Sequence, residues 1–167
     1  MNSLWGNIFK MRQKEEDEIL GILKKIPIFE ELGKRDLERV ERLLHKRQYS
    51  SDEVIFVQGD PGLGMYIIEK GNVDIISEPG KNRLADLSDG EFFGELALLD
   101  DSPRTASAVA TTDCTLLCFF QPDLLDLVER NPQLGVKILF HLARTVGARL
   151  RKANELIREI PSVGGTL

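Results

Sequence analysis

The 167-residue chain contains few of the residues from which metal and nucleophilic sites are built, with only two cysteines and two histidines. Zinc requires about four such ligands, so no metal site is predicted. Cys114 and Cys118 lie four residues apart in one apolar run. Strand geometry would put both thiols on the same face, where we expect them to be buried and reduced. Because no Ser-His-Asp or Cys-His arrangement is present, we do not expect an enzyme.

Long apolar runs and an excess of basic charge are also lacking. The longest apolar stretches, such as 114–120, are far shorter than the roughly 20 residues of a membrane span, and the N-terminus has no signal-peptide core. The 22 basic and 27 acidic residues give a net charge of −5, the wrong sign for a nucleic-acid surface. We therefore expect a cytoplasmic protein without a membrane span or a nucleic-acid partner.

The apolar residues that are present, 42% of the chain, predict one core flanked by helices. Helical periodicity covers 14–23 and, after Pro27, 35–45; it returns from Pro132 to Ile160. Between these regions lie short runs of branched and aromatic residues separated by Gly, Asn and Pro turns: 54–57, 65–68, 73–76, 84–87, 106–110 and 114–120. Strands at such close spacing predict an antiparallel sandwich or barrel.

The segment from Phe93 to Ala106 breaks the alternation of the strands around it. Gly94 and the helix-forming residues after it predict a short helical turn, whose free N–H groups attract phosphate. Arg104 adds a guanidinium that pairs with phosphate oxygens. Glu95 would repel phosphate, so its partner should be a hydroxyl such as that of ribose. The segment thus predicts a nucleotide site, unless Glu95 and Arg104 simply pair with each other.

The string FGELALLDDSPRTASAV resembles the phosphate-binding cassette of the cyclic nucleotide-binding domain family, of the catabolite-activator and protein-kinase-regulatory-subunit type. The match includes the Gly-Glu-x-Ala start, the Pro-Arg end and the nine-residue separation of Glu95 and Arg104, and it extends over roughly 26–160. This resemblance implies a mainly β fold, an antiparallel β jelly-roll barrel with N-terminal helices and a long C-terminal helix.

The resemblance also implies that a cyclic mononucleotide, cAMP or cGMP, binds without a metal. Glu95, assisted by Gly94, would accept the ribose 2′-hydroxyl, while Arg104 and the N–H groups of Ala97 and Thr105 would hold the phosphate. The hydroxyl of Thr105 resembles that of cGMP-preferring members, but bacterial-type cAMP receptors also carry Ser or Thr at this position, and we favour cAMP. The full set of expected ligand-binding residues is Gly94, Glu95, Leu96, Ala97, Arg104, Thr105 and Ala106, with Ile75, Leu84 and Leu87 as pocket wall.

The expected organisation is a helical extension at 1–24, a binding core at 25–133, a lid or dimerisation helix at 134–160 and a flexible tail at 161–167. Only seven residues follow that helix, so we expect a stand-alone module without a helix-turn-helix DNA-binding domain. One stripe on the helix, interrupted by Arg149, is either a homodimer seam or a face that packs on the barrel; its members are Leu139, Leu142, Val146, Ala153, Leu156 and Ile160.

These features predict a regulatory sensor. Ligand binding would close the C-terminal helix over the barrel and change what the chain presents to a protein partner. The alternative is a scaffold whose pocket is empty and whose partner is indifferent to nucleotide. An N-terminal apolar cluster would dock either on that partner or on the barrel itself: Leu4, Trp5, Ile8, Phe9 and Met11.

Overall fold

A computed structural model describes residues 3–159, with side chains described from Gly6 onward. Four α-helices are present in this range: α1 (Ser3–Leu23), α2 (Lys34–Glu41), α3 (Gln121–Arg130) and α4 (Pro132–Glu159). The eight strands are β1 (His45–Tyr49), β2 (Val54–Phe56), β3 (Gly64–Lys70), β4 (Val73–Ser77), β5 (Asn82–Leu87), β6 (Phe92–Phe93), β7 (Ser107–Ala110) and β8 (Cys114–Phe120). A 3₁₀ helix covers Glu95–Leu98.

The strands form two four-stranded antiparallel sheets with the orders β1-β8-β3-β6 and β2-β7-β4-β5. A buried cluster lies between the sheets and takes residues from both, including Ile68 and Leu116 from one and Val73 and Ala108 from the other. Eight strands arranged in two sheets in this order make a jelly roll. The expected fold class is therefore confirmed.

A second buried cluster joins the helices to the outer face of the sheet that contains β8. Leu117 and Phe119 belong to this cluster, whereas Cys114, Leu116 and Cys118 face the interior between the sheets. Because successive side chains of a strand point to opposite faces, β8 is buried on both sides. Its uninterrupted apolar sequence follows from that position, and both cysteines are buried as free thiols on one face.

Helix boundaries differ from the periodicity in two places. The helix expected over 35–45 ends at Glu41, because i to i−3 hydrogen bonds from Leu43 and Leu44 tighten the chain into a turn. His45 instead begins β1 and pairs with Cys118 of β8, so strand pairing overrides the helical pattern. At the N-terminus, α1 begins at Ser3 and not near residue 14.

The terminal segments bear on two further expectations. The tail at 161–167 and Ile160 lie outside the described residues, as do the side chains of Leu4 and Trp5. The remaining members of the N-terminal apolar cluster, Ile8 and Phe9 among them, are exposed on α1. Among residues 3–159, no helix is long and apolar enough to span a bilayer.

Candidate functional site

The segment singled out in the sequence connects β6 to β7 and starts with a left-handed residue. Gly94 has φ 74° and ψ 17°, a conformation that favours glycine, and the 3₁₀ helix begins at the next residue. A Cβ atom at Gly94 would lie 2.7 Å from Nη1 of Arg104. Glycine is therefore needed both for the turn and for the close approach of the arginine.

The backbone of Arg104 is fixed by the turn that follows β2. The Arg104 N–H donates to the carbonyl of Asp60 at 2.8 Å, and the Gly59 N–H donates to the carbonyl of Arg104 at 2.9 Å. Gly59 itself has a positive φ of 91°, a conformation that favours glycine in this turn.

The Arg104 side chain is buried, with the residue 7% exposed. Nη2 donates to the Gly64 carbonyl at 2.8 Å and Nη1 to the Gly94 carbonyl at 3.2 Å. The guanidinium carbon lies 4.1 Å from the centre of the Phe56 ring, a cation–π geometry. These contacts hold the guanidinium in one orientation.

Electrostatically, Arg104 is a buried cation without a hydrogen-bonded carboxylate among the described residues. Burial lowers the pKa of its guanidinium, while Tyr66, Asp60 and Glu95 oppose that shift. Its Nε atom is buried and has no hydrogen-bond partner within residues 3–159. Since a buried polar group without a partner is costly, this donor is suited to an anionic ligand.

Glu95, at the start of the 3₁₀ helix, is 5% exposed. Its Oε2 lies 2.7 Å from Nη1 of Arg149 on α4. The structure thus differs from the ligand-free alternative in which Glu95 and Arg104 pair with each other, because the hydrogen bonds of Arg104 go to backbone carbonyls. Arg149 is a residue of the site that sequence reasoning did not assign to it; in the sequence it was visible only as a charge that interrupts an apolar helical stripe.

A cavity of about 480 Å³ opens beside these groups, within the range of small-molecule sites. Arg149 also reaches its wall. The structure brings nine of the ten expected ligand-binding residues to the lining: Ile75, Leu87, Gly94, Glu95, Leu96, Ala97, Arg104, Thr105 and Ala106.

Leu84 is the exception and corrects the expectation for the pocket wall. Its side chain is 60% exposed and lies outside the lining, where its neighbour Ala85 is found instead. Leu84 and Leu87 are three residues apart, and residues at odd spacing point to opposite faces of a strand. A register irregularity near Ile75 also leaves Leu84 opposite no residue of β4, because Ile75 pairs with Ala85 and Ile76 with Arg83.

The cavity therefore combines a buried cation, a buried carboxylate and an apolar wall that includes Ile75, Ala85 and Leu87. Arg104 can bind phosphate oxygens, the carboxylate of Glu95 can accept a hydroxyl, and the wall can pack against a flat ring. A compact ligand that carries an anion, a hydroxyl and an apolar ring matches this arrangement.

Comparison with known proteins identifies matches to one domain family. The cyclic nucleotide-binding domain model matches residues 46–131. The cyclic AMP receptor protein of Thermus thermophilus is 37% identical over 135 residues, covering 79% of this chain and 61% of that protein. A cAMP-dependent protein kinase regulatory subunit of Colletotrichum orbiculare is 37% identical over 110 residues, 66% of this chain and 27% of that protein. The chain thus spans between about a quarter and three fifths of these relatives' lengths.

A solved structure of the same domain family has a similar fold. A cyclic nucleotide-binding domain from Methylobacillus flagellatus superposes with a TM-score of 0.76 at 27% identity, covering 92% of this chain and 87% of that one. The family model matches more than half of the chain and contains both Glu95 and Arg104. The chain therefore belongs to the cyclic nucleotide-binding domain family.

Proposed function

We propose that the chain binds cAMP in this cavity and acts as a regulatory sensor. The observation that carries the proposal is the buried Arg104 guanidinium, which has an unpartnered Nε and no hydrogen-bonded carboxylate among the described residues. A cyclic phosphate would supply the missing acceptor and counter-charge.

Each end of the ligand then has a partner in the lining. Arg104 and the N–H groups of Ala97 and Thr105 bind the phosphate, and Glu95, assisted by Gly94, accepts the 2′-hydroxyl of ribose. The apolar residues Ile75 and Leu87 form the wall beside the sugar and base. Two relatives named for cAMP favour cAMP over cGMP as the ligand.

The sensor role depends on α4. Arg149 of α4 contacts Glu95 in the cavity, so a ligand at Glu95 acts directly on this helix. A ligand that binds one placement of α4 better than another shifts the population toward that placement.

Titration calorimetry of the full chain with cAMP and cGMP tests the proposal. We expect micromolar or tighter binding of cAMP, weaker binding of cGMP, and a loss of about 1–3 kcal/mol in Glu95→Gln, which keeps the shape but removes the charge of the acceptor. The exposed Glu129→Gln variant on α3 is the matched control and should bind like the unmodified chain.

Two outcomes would contradict this proposal. If cGMP binds more tightly than cAMP, then cGMP and not cAMP is the ligand. Folded chain that is free of co-purified nucleotide and shows no heat with either ligand would favour the scaffold function instead.

The exposed face of α4 supports a second proposal, a parallel homodimer. Leu142 is buried in the chain's own core and Leu139 and Val146 pack against it, so this half of the sequence stripe faces the jelly roll. A different stripe of α4 faces solvent. Its residues follow one another at alternating spacings of four and three positions: Val136, Phe140, Ala143, Gly147, Leu150, Asn154 and Ile157. Its large apolar members are exposed.

That spacing is typical of a coiled-coil seam, in which Asn154 would occupy an a position and favour two parallel strands. We expect light scattering to give twice the mass of one chain, and Leu150→Glu to give a monomer because it buries a charge in the seam. Ala148→Glu, an equal change at another exposed position of α4, should leave the dimer intact. A monomeric unmodified chain would contradict this prediction.

A further inference from the structure

Arg149 links the cavity to the surface of α4 through three contacts. Nη1 lies 2.7 Å from Oε2 of Glu95, and Nη2 donates to the Phe92 carbonyl at 3.3 Å. The guanidinium carbon also lies 4.4 Å from the centre of the Phe92 ring. Arg149 is thus oriented by a ring, a carbonyl and a carboxylate at once.

The two partners of the ion pair have unequal environments. The Glu95 side chain is almost completely buried, whereas 47% of the Arg149 side chain is exposed. A buried carboxylate without a counter-charge is costly. The hydrogen bonds of Arg104 go to the carbonyls of Gly64 and Gly94, so the pair that offsets the charge of Glu95 is the one with Arg149.

The pair also determines which oxygen of Glu95 remains for a ligand. Arg149 engages Oε2, and the structure records no hydrogen bond to Oε1 from the described residues. A carboxylate held through one oxygen presents the other in a fixed direction. A hydroxyl donor from a sugar would therefore meet an acceptor that is already oriented.

We infer that Arg149 is a positioning residue for sugar recognition: it holds the Glu95 carboxylate in one orientation so that Oε1 accepts the 2′-hydroxyl of the nucleotide. This inference rests on the proposed function. In this inference the ion pair between Arg149 and Glu95 couples α4 to the cavity. The placement of α4 then affects how the ribose of the ligand is bound.

The test compares cAMP with 2′-deoxy-cAMP by titration calorimetry on the full chain. The unmodified chain, Arg149→Ala and Arg149→Lys are measured with both ligands. Arg151→Ala is the matched control, since Arg151 is exposed and lies two residues further along the same helix. The comparison is a double-mutant cycle between the arginine and the hydroxyl.

We expect Arg149→Ala to weaken cAMP binding on the order of tenfold or more, and 2′-deoxy-cAMP binding by less than about threefold. Arg149→Lys should recover part of the cAMP affinity because it restores the charge beside Glu95. Arg151→Ala should bind both ligands like the unmodified chain.

Equal losses for the two ligands would overturn the inference, because a general contribution of Arg149 to helix docking or to the base would not depend on the 2′-hydroxyl. Tighter cAMP binding by Arg149→Ala would also overturn it, since Arg149 would then compete with the ligand for Glu95. Failure of the unmodified chain to bind cAMP would be a different result, against the proposed function itself.

Discussion

Arg104→Ala is expected to weaken cAMP binding by about 2–5 kcal/mol, which corresponds to a factor of roughly 30 to 5,000 in Kd. The reason is the position of the guanidinium. It is buried, oriented by the Gly64 and Gly94 carbonyls and by the Phe56 ring, and it retains a free Nε donor. A charge-assisted bond formed in such a site is not screened by water.

The energetic balance of Arg104 explains why its effect on binding should be larger than its effect on folding. Burial of the guanidinium opposes its charge, as its lowered pKa indicates, and its two hydrogen bonds to carbonyls offset that cost only in part. Ligand phosphate would supply the acceptor for Nε. Arg104 should therefore contribute more to the free energy of ligand binding than to the free energy of folding.

Two comparisons make the Arg104 measurement decisive. Arg104→Lys keeps the charge but cannot make the forked contact, so we expect it to recover only part of the affinity. Arg130→Ala removes an exposed arginine of α3 and should leave Kd unchanged. If Arg104→Ala retains a cooperative thermal transition and binds cAMP as tightly as the unmodified chain, the assignment of the phosphate site is wrong.

The parts of the site that could be predicted from the sequence are local in the chain. Glu95 and Arg104 lie nine residues apart, and Gly94 is the left-handed residue that sets the turn between them. An antiparallel sandwich or barrel was predictable because its strands are short, apolar and separated by turn residues, and the jelly roll followed from the family resemblance. A segment that determines its own backbone conformation is visible without knowledge of the tertiary fold.

The parts that could not be predicted depend on contacts distant in sequence. Arg149 reaches Glu95 from a helix that begins after β8 is complete, and helical periodicity does not say which face of that helix meets the cavity. β1 was not predicted, and its first residue, His45, was assigned to a helix, because the pairing of β1 with β8 is a tertiary contact. Leu84 was assigned to the pocket wall on the resemblance alone, and the irregular register between β4 and β5, which leaves it opposite no residue, is set by strand pairing.

Phe119→Ala is expected to lower the free energy of unfolding by about 3–5 kcal/mol, a large share of the roughly 5–15 kcal/mol typical of a domain. Phe119 is fully buried on the face of β8 that meets the helices. Its ring packs edge to face on Phe29, with 6.0 Å between ring centres. Truncation would leave a cavity where the jelly roll and the helical layer join.

Urea denaturation followed by circular dichroism measures this loss. The midpoint should fall while the slope stays unchanged, because the surface exposed on unfolding is nearly the same in both proteins. Phe9→Ala is the matched control: Phe9 is 73% exposed on α1, so the expected change is within about 0.5 kcal/mol. If both substitutions cost equally little, the contact between Phe29 and Phe119 does not hold the helices to the jelly roll.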